Sequence, residues 1–248
     1  MKPVEDLALR FDRVSKSIGE TDILEDISFE VPRGAVFSIL GRRGAGKTIA
    51  LKLSIGLLKP DLGRIFLNNQ DITELDHPGL LDVRKSTGFV FQTAAVFDSI
   101  SVAENVAFPL RCAYGIPESK LRDRVQQQLD QVGLVEQRGK MPIDLSFGMR
   151  KLLGFARALA SDPPILLLDD PWCGVDSVTS ARIRELLLSL NEGRGTTLLI
   201  TANRISEVRD LCEQLAVLDE GRMIACGSPS EVERSDHPAV RQLFLQGQ

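Results

Sequence analysis

In the first part of the chain, short apolar stretches are separated by polar and turn-forming residues. Residues 7–32 follow this pattern around a polar stretch at 15–22, which predicts antiparallel strands. The turn sequence Pro32-Arg33-Gly34 closes them. Residues 36–40 are almost uninterruptedly apolar and predict a buried strand.

Helical spacing of apolar residues dominates the middle of the chain. It is found in residues 49–58, and again in 101–110, 118–132 and 146–160. Within 118–132 one face is apolar, and we interpret it as packing against neighbouring helices; it carries Leu121, Val125, Leu129 and Val132. Two short strands are predicted before these three helices, at residues 65–67 and 88–91, with a turn at Asn68-Asn69.

Strand character returns in the last third. Four consecutive aliphatic residues at 165–168 suit a central parallel strand that is buried on both faces. A helix, a strand and a closing pair of strands follow, at 177–190, 197–201, 215–218 and 222–225. The alternation predicts an α/β core that is interrupted by a helical insertion at residues 93–159.

Composition narrows the function classes. The 248 residues are 43% apolar and 26% charged, and the net charge of −4 argues against nucleic acid as the main partner. No apolar run approaches the ~18 residues of a membrane span, and the acidic start lacks the apolar core of a signal peptide. The four cysteines are scattered, which indicates free thiols in a reducing cytosol. His77 and His237 each precede a proline, so we expect both in turns.

Residues 41–48 read Gly-Arg-Arg-Gly-Ala-Gly-Lys-Thr and match a phosphate-binding loop, Gly-x-x-x-x-Gly-Lys-Thr, at every fixed position. Such a loop directs amide N–H groups and a helix N-terminus at an anion. Lys47 would reach the β- and γ-phosphates, and the Thr48 hydroxyl would bind Mg²⁺. A glycine-rich turn of another kind is the alternative, but the predicted strand and helix around the loop favour a nucleoside triphosphate site. The predicted nucleotide-binding residues here are Gly41, Arg42, Arg43, Gly44, Ala45, Gly46, Lys47, Thr48 and Ile49.

Two further positions carry candidate chemistry. Asp169 ends the aliphatic strand at 165–168, where a carboxylate can hold Mg²⁺ beside the phosphates, although it could also be a plain strand terminus. Ser146 is a natural N-cap for the helix that follows and, with Gly148, predicts a second helix N-terminus for an anion. By itself the second signal is common among helices.

Taken together, the motifs resemble the ATP-binding subunit of ABC transporters over essentially the whole chain. The resemblance rests on their order: the phosphate loop, Gln92 after a strand, Leu-Ser-Phe-Gly-Met at 145–149, Asp169-Asp170-Pro171, and Gly174-Val175-Asp176. It implies a P-loop NTPase fold with a RecA-like parallel core, an antiparallel β subdomain and a helical ABC-specific insertion. The implied division of the single domain 1–248 is a nucleotide-binding core at 1–92 and 160–248 and a helical subdomain at 93–159.

The resemblance also implies roles. ATP and Mg²⁺ are the expected cofactors, Gln92 is expected to contact Mg²⁺ and the transmembrane partner, and Asp176 is expected at a head-to-tail dimer interface. The helix after Ser146 and Gly148 would cap the γ-phosphate that the second subunit holds. The implied catalytic residues are Lys47, Gln92, Asp170 and Asn203, and the implied metal ligands are Thr48, Gln92 and Asp169.

Four positions depart from the pattern of that family. The residue after the metal-binding aspartate is usually glutamate and here is Asp170, and the expected histidine after strand 197–201 is Asn203. The hydroxyl that usually follows the phosphate loop is replaced by Ile49, and the aromatic residue that often stacks on adenine by Ile18. The first two lie at the chemistry, so slow hydrolysis is expected.

Residues 96–111 and the tail at 237–247 are similar to the ATPases of MCE-type lipid transporters, the Mla (maintenance of lipid asymmetry) group. That similarity implies a permease and an MCE-type substrate-binding protein as partners, with a second ATP-binding subunit that forms a homodimer. It also implies a peripheral location on the cytoplasmic side of a bacterial inner membrane.

Our interpretation is an ATPase subunit that powers a lipid-handling permease. A regulatory or structural subunit that binds ATP but scarcely hydrolyses it is the main alternative, because of Asp170 and Asn203. A soluble ABC protein of translation or DNA repair is a third possibility, but such proteins usually carry a second nucleotide-binding domain or a long coiled-coil insertion.

Overall fold

The computed structural model describes residues 6–245. The acidic start at 1–5 and the end of the resembling tail at Gln246 and Gly247 lie outside the described residues. The strands are β1 (Leu7–Ile18), β2 (Thr21–Pro32), β3 (Val36–Leu40), β4 (Leu62–Leu67), β5 (Gln70–Asp71), β6 (Thr87–Val90), β7 (Ile165–Asp169), β8 (Thr197–Ala202), β9 (Gln214–Asp219) and β10 (Arg222–Gly227). The helices are α1 (Lys47–Ser54), α2 (His77–Arg84), α3 (Val102–Tyr114), α4 (Glu118–Gln131), α5 (Phe147–Ala158), α6 (Ser177–Arg194), α7 (Pro229–Glu233) and α8 (Pro238–Leu245).

The larger sheet has six strands in the order β10-β9-β3-β8-β7-β6. Its central strands β3, β7 and β8 are buried at every position, as their aliphatic runs predict. All neighbours except β10 and β9 pair in parallel, so the carboxyl ends of β3, β7 and β8 meet at one edge. That edge is where ligands bind in open α/β sheets.

The smaller sheet is antiparallel, in the order β2-β1-β4-β5. Stacked rings connect it to the larger sheet, with Phe29 4.6 Å from Phe11 and 5.3 Å from Phe37 between ring centroids. The parallel core with an antiparallel β subdomain is therefore confirmed.

The helices α3, α4 and α5 pack on one another and share a hydrophobic cluster with the parallel sheet. The predicted stripe along α4 is buried at Leu121, Val125, Leu129 and Val132, which confirms its interpretation as packing. The division of the chain at residues 92 and 159 stays a prediction. In the described part of the chain, no helix has both the length and the apolar character that a membrane span requires.

Some local expectations were wrong. The first predicted helix ends at Ser54 rather than Leu58, because Gly56 turns into the left-handed region with φ +63°. His77 begins α2 instead of lying in a turn. Asp76 caps that helix by accepting from the Gly79 N–H at 2.9 Å, and proline is tolerated in a first turn because its missing N–H is not needed there. The helices α7 and α8 were not predicted either.

Candidate nucleotide site

The phosphate loop connects β3 to α1, as its motif requires. Gly44 and Gly46 have φ of +85° and +100°, values that side chains with a Cβ rarely adopt. A Cβ on Gly41 would lie 2.4 Å from the Leu218 carbonyl oxygen, so only glycine fits against β9. Gly46 is the N-cap of α1 and offers no side-chain cap, which leaves N–H groups of the first turn for an anion.

Lys47 is almost fully buried and uses its ammonium within the site. Its Nζ donates to the carbonyl oxygens of Gly41 and Arg42 at 2.6 and 2.7 Å and to Asn203 Oδ1 at 2.9 Å. Burial lowers the pKa of Lys47 to about 8, although the negative charges of Asp170 and Asp169 oppose this. When a nucleotide binds, its phosphate oxygens can therefore replace the oxygens that now accept hydrogen bonds from Lys47.

Thr48 and Asp169 lie together at the carboxyl edge of the sheet. The Thr48 hydroxyl is 3.0 Å from both carboxylate oxygens of Asp169. Thr201, at the end of β8, lies 3.0 Å from Asp169 Oδ1 through its hydroxyl and accepts from the Asp170 N–H at 2.9 Å. Adjacent strands therefore hold the two aspartates in place.

The Asp170 carboxylate is almost fully buried and accepts two amide donors. Asn203 Nδ2 lies 2.5 Å from Asp170 Oδ2, and Gln92 Nε2 lies 3.3 Å from the same oxygen. Burial raises the pKa of Asp170, and the charge of Glu207 adds to the rise. Because Asn203 also accepts from Lys47, it bridges the cation and the buried carboxylate.

A cavity of about 620 Å³ opens over these groups. Most of the predicted site residues line it, namely Arg43, Gly44, Gly46, Lys47, Thr48, Ile49, Gln92, Asp169, Asp170 and Asn203. Gly41, Arg42 and Ala45 belong to the same loop but do not line the cavity. Ile18 and Ile23 also line it, so an aliphatic side chain at position 18 stands where the family often has an aromatic one.

The residues present fit a magnesium ion that is shared with phosphates. Mg²⁺ prefers oxygen ligands, keeps several waters and takes one or two carboxylates besides phosphate oxygens. The Thr48 hydroxyl and the Asp169 carboxylate are adjacent at the cavity wall, and the Gln92 amide lines the same cavity. Within residues 6–245 no group of three or more His, Cys, Asp or Glu could hold a metal alone.

The remaining predicted residues do not line this cavity. Ser146 caps α5 by accepting from the Met149 N–H at 3.2 Å, and Asp176 caps α6 by accepting from the Thr179 N–H at 2.8 Å. Hydrogen bonds from the main-chain N–H and the hydroxyl of Thr179 lower the pKa of Asp176. A Cβ on Gly148 would lie 2.6 Å from Thr179 Oγ1, so the two helix starts pack closely. The structure thus brings these two helix starts together, and none of the three residues lines the cavity.

Four residues of the site were missed. Ile23, Cys173 and Thr201 line the cavity, and Lys151 lies directly behind it. For Lys151 a signal existed: with Gly148, Leu152 and Phe155 it lies on the buried stripe of α5, where a lysine is unusual. Thr201 and Cys173 offered no comparable signal.

A glycine-rich loop between a buried strand and a helix, with an aspartate at the end of a neighbouring parallel strand, defines a P-loop nucleoside triphosphatase. A family model described as ABC transporter matches residues 24–173. The chain belongs to the ABC transporter family, as an ATP-binding domain of the ATP-hydrolysing type.

Relatives and solved structures agree with this assignment. The chain is 37% identical over 241 residues to the probable ribonucleotide transport ATP-binding protein mkl of Mycobacterium leprae, covering 97% of this chain and 69% of that protein. It is 36% identical over 230 residues to the methionine import ATP-binding protein MetN of Rhodopseudomonas palustris, covering 93% and 62%.

Among structures, a dimeric post-hydrolysis state of the ATP-binding cassette MJ0796 bound to ADP and Pi superposes with a TM-score of 0.84 at 30% identity, covering 89% of this chain and 98% of that chain. CbiO1 of Clostridium perfringens, part of the ABC transporter complex cbiONQ, gives 0.83 at 33% identity, covering 92% and 91%.

Proposed function

We propose that this chain dimerises, binds Mg-ATP between two copies and powers a membrane permease. The observation that carries the proposal is the separation of the site into two parts. Ser146, Gly148 and Asp176 lie together but do not line the cavity that the phosphate loop forms. A second copy, facing the first head to tail, would supply the missing helix N-terminus to the γ-phosphate. The dimeric structures of MJ0796 support the dimerisation in this proposal.

In this proposal each side chain has one task. Lys47 and the phosphate-loop amides bind the phosphates, while Thr48, Asp169 and Gln92 would hold Mg²⁺. The bound ion would neutralise charge on the β- and γ-phosphate oxygens. Asp170 orients the attacking water, and Asn203 keeps Asp170 and Lys47 in register. Catalysis is therefore mostly positioning and charge stabilisation.

Hydrolysis is proposed to be slow. Aspartate is one methylene shorter than glutamate, so the Asp170 oxygens retreat by up to ~1.5 Å. A misplacement of about 1 Å can cost on the order of 10²-fold in rate. Asn203 can donate an amide N–H to a phosphate, but it carries no charge and therefore stabilises developing negative charge less than histidine would.

A regulatory subunit that holds ATP without turnover is the second candidate. The short bond between Asn203 and Asp170 favours it, because it occupies an oxygen that would otherwise be free for water. In this case the chain would still dimerise on ATP.

Substitutions at Asp170 separate the two candidates. We expect Asp170→Glu to speed ATP turnover by the full chain and Asp170→Asn to lower it by about 10² or more, leaving a stable ATP-bound dimer. Turnover is measured as phosphate release, and the dimer by size-exclusion chromatography with ATP. Asp82→Asn, at an exposed carboxylate of α2, is the matched control. If turnover were unaffected in Asp170→Asn, the regulatory candidate would be preferred.

The permease is proposed to dock on the surface around residues 92–110, which extends into α3. Phe97 and Phe108 are 41% and 39% exposed, and their ring centroids are 4.7 Å apart, so they form an apolar surface feature. Phe97→Asp should release the chain from its membrane partner without changing ATP affinity. Leu81→Asp, at an equally exposed apolar residue of α2, should not. If Phe97→Asp recovered as much permease as the parent chain does, this surface would be excluded.

Lipid is proposed as the cargo, and an MCE-type protein as a further partner. The chain itself is proposed to lie peripherally on the cytoplasmic side of a bacterial inner membrane. The support is the resemblance of residues 96–111 and 237–247 to Mla-type ATPases. The names of the relatives point to ribonucleotides and methionine instead. Purification of the tagged chain from membranes, followed by mass spectrometry of proteins and lipids, tests this. An MCE-type protein and specifically retained lipid support the proposal, whereas a co-purified amino-acid-binding protein would contradict it.

A further inference from the structure

Lys151 is a charged residue in an apolar position. It lies on the buried stripe of α5, the helix that begins after Ser146, and only 1% of its surface is exposed. Charged side chains are rarely buried so fully unless they are paired. The described hydrogen bonds of its Nζ go to two main-chain carbonyls, that of Gln92 at 2.6 Å and that of Asp170 at 3.2 Å.

Both of those carbonyls belong to the catalytic part of the site. The side-chain amide of Gln92 also donates to Asp170 Oδ2. Lys151 therefore binds the main chain of both residues that make this contact. Asp170 has φ +43°, a left-handed conformation that is costly for a residue with a Cβ and persists only where its surroundings enforce it. Its N–H is fixed by Thr201 and its carbonyl by Lys151 and the Cys173 N–H.

The same helix fixes the segment that follows Gln92. Arg157 of α5 donates to the carbonyls of Ala94 and Ala95, which also have positive φ, of +65° and +48°. Between the two cations, a Cβ on Gly154 would lie 3.2 Å from Ala94, so the helix and this segment are in close contact. One face of α5 therefore holds residues 92–95 along its length, but only Lys151 also reaches Asp170.

From this geometry we propose that Lys151 is a positioning residue for ATP hydrolysis, which sets the backbone of Asp170 and Gln92 and ties both to α5. The inference rests on the proposed role of Asp170. A shift of α5, as when its N-terminus meets a phosphate, is transmitted through the Lys151 ammonium to the carboxylate that orients water. Lys151 does not line the nucleotide cavity and acts through Asp170.

The test compares Lys151→Met with Lys151→Arg and with Lys120→Met, the same substitution at an exposed lysine of α4. In the full chain we expect Lys151→Met to lower kcat by on the order of 10-fold or more with KM for ATP little changed, because the carboxylate rather than the phosphate loop moves. Lys151→Arg should recover part of kcat, and Lys120→Met should match the parent.

A second readout does not depend on turnover. Trp172 is the only tryptophan, is 7% exposed and lies two residues after Asp170. Its emission in ATP-free protein should shift to the red in Lys151→Met, as this turn loosens, and return towards the parent in Lys151→Arg. Should Lys151→Met fail to fold by circular dichroism, Lys151→Gln, which is neutral but keeps an amide donor, is judged by the same criteria.

Combination with Asp170→Asn separates this proposal from the one on which it rests. If Lys151 acts through Asp170, Lys151→Met should add little to the loss of kcat caused by Asp170→Asn. Additive losses would overturn the proposal, as would unchanged kcat and emission in a folded Lys151→Met. If Asp170→Asn alone leaves turnover unchanged, the role of Asp170 fails instead.

Discussion

The phosphate-loop side of the site and its α5 side are built in opposite ways. On the first, Lys47, Asp169 and Asp170 are buried and hydrogen-bonded through Thr48, Thr201 and Asn203. On the second, Ser146 is exposed, and the neighbouring Phe147 has 47% of its surface in solvent. The buried side can bind phosphate within one chain, whereas we propose that the exposed side is covered by a second copy. We therefore expect ATP affinity and ATP turnover to depend on different residues.

The largest effect is expected on the buried side. Lys47→Ala removes a cation that would bind two phosphate groups, and hydrogen bonds to charged groups contribute about 1.5–3 kcal/mol each. Loss of two such bonds should weaken ATP binding by on the order of 10²-fold or more, as measured by calorimetry. Lys52→Ala, on the same helix, is the control. If Lys47→Ala bound ATP as tightly as Lys52→Ala does, the assignment of residues 41–48 as a phosphate loop would be wrong.

A charge on the exposed side should affect turnover instead. Aspartate caps a helix as well as serine does, so Ser146→Asp keeps the start of α5 but repels a triphosphate. We expect ATP turnover to fall by on the order of 10-fold or more, with unchanged ATP affinity of the single chain. Ser146→Asn, an equally good but neutral cap, should retain most of the activity. If Ser146→Asp, but not Ser146→Asn, weakened ATP binding to the single chain, one chain would have to hold both sides of the site.

A smaller effect is expected from pH. Because burial lowers the pKa of Lys47 to about 8, ATP affinity should begin to fall as the pH approaches 8 and should fall by up to about tenfold per unit above it, as binding then requires proton uptake. Calorimetry in buffers of different ionisation enthalpy measures that uptake. In Lys47→Arg the slope should disappear, since guanidinium stays charged.

The same titration has the reverse sign for folding. Between pH 8 and the ordinary lysine value of 10.5, the unfolded chain binds more protons than the folded one at Lys47. Its contribution to the free energy of unfolding therefore rises over this window, while affinity for ATP falls. Chemical denaturation of Lys47→Met beside the parent across this window would isolate that contribution, and a contribution that falls with pH would contradict the lowered pKa.

Sequence patterns predicted the fold well where burial is simple. The strands β3, β7 and β8 are buried on both faces, so their aliphatic runs were unambiguous. The short helix α2 was missed because its first residues, His77-Pro78-Gly79, also favour a turn, and only the cap bond from Asp76 decides between them. Local signals of that size cannot separate a capped helix from a turn.

The site was predictable to the extent that its chemistry follows fixed spacings. Lys47, Thr48 and Asp169 are defined by neighbours in the sequence. Thr201 and Lys151 are defined by contacts to residues 31 and 59 positions away, at Asp170 and Gln92. Such long-range contacts arise only when the sheet and α5 are assembled. The positive φ of Asp170 likewise follows from the fold and has no signature in the sequence.

That backbone conformation has a consequence for anyone who evolves this protein in the laboratory. Glycine adopts left-handed φ freely, whereas other residues lose about 1–2 kcal/mol there. At position 170 glycine would also remove a buried carboxylate. A library selected for thermal tolerance alone should therefore enrich glycine at position 170 wherever the amide groups of Asn203 and Gln92 find another acceptor, and the selected proteins would lack the carboxylate that we propose orients water. Selection for stability and selection for ATP hydrolysis therefore favour different residues at position 170.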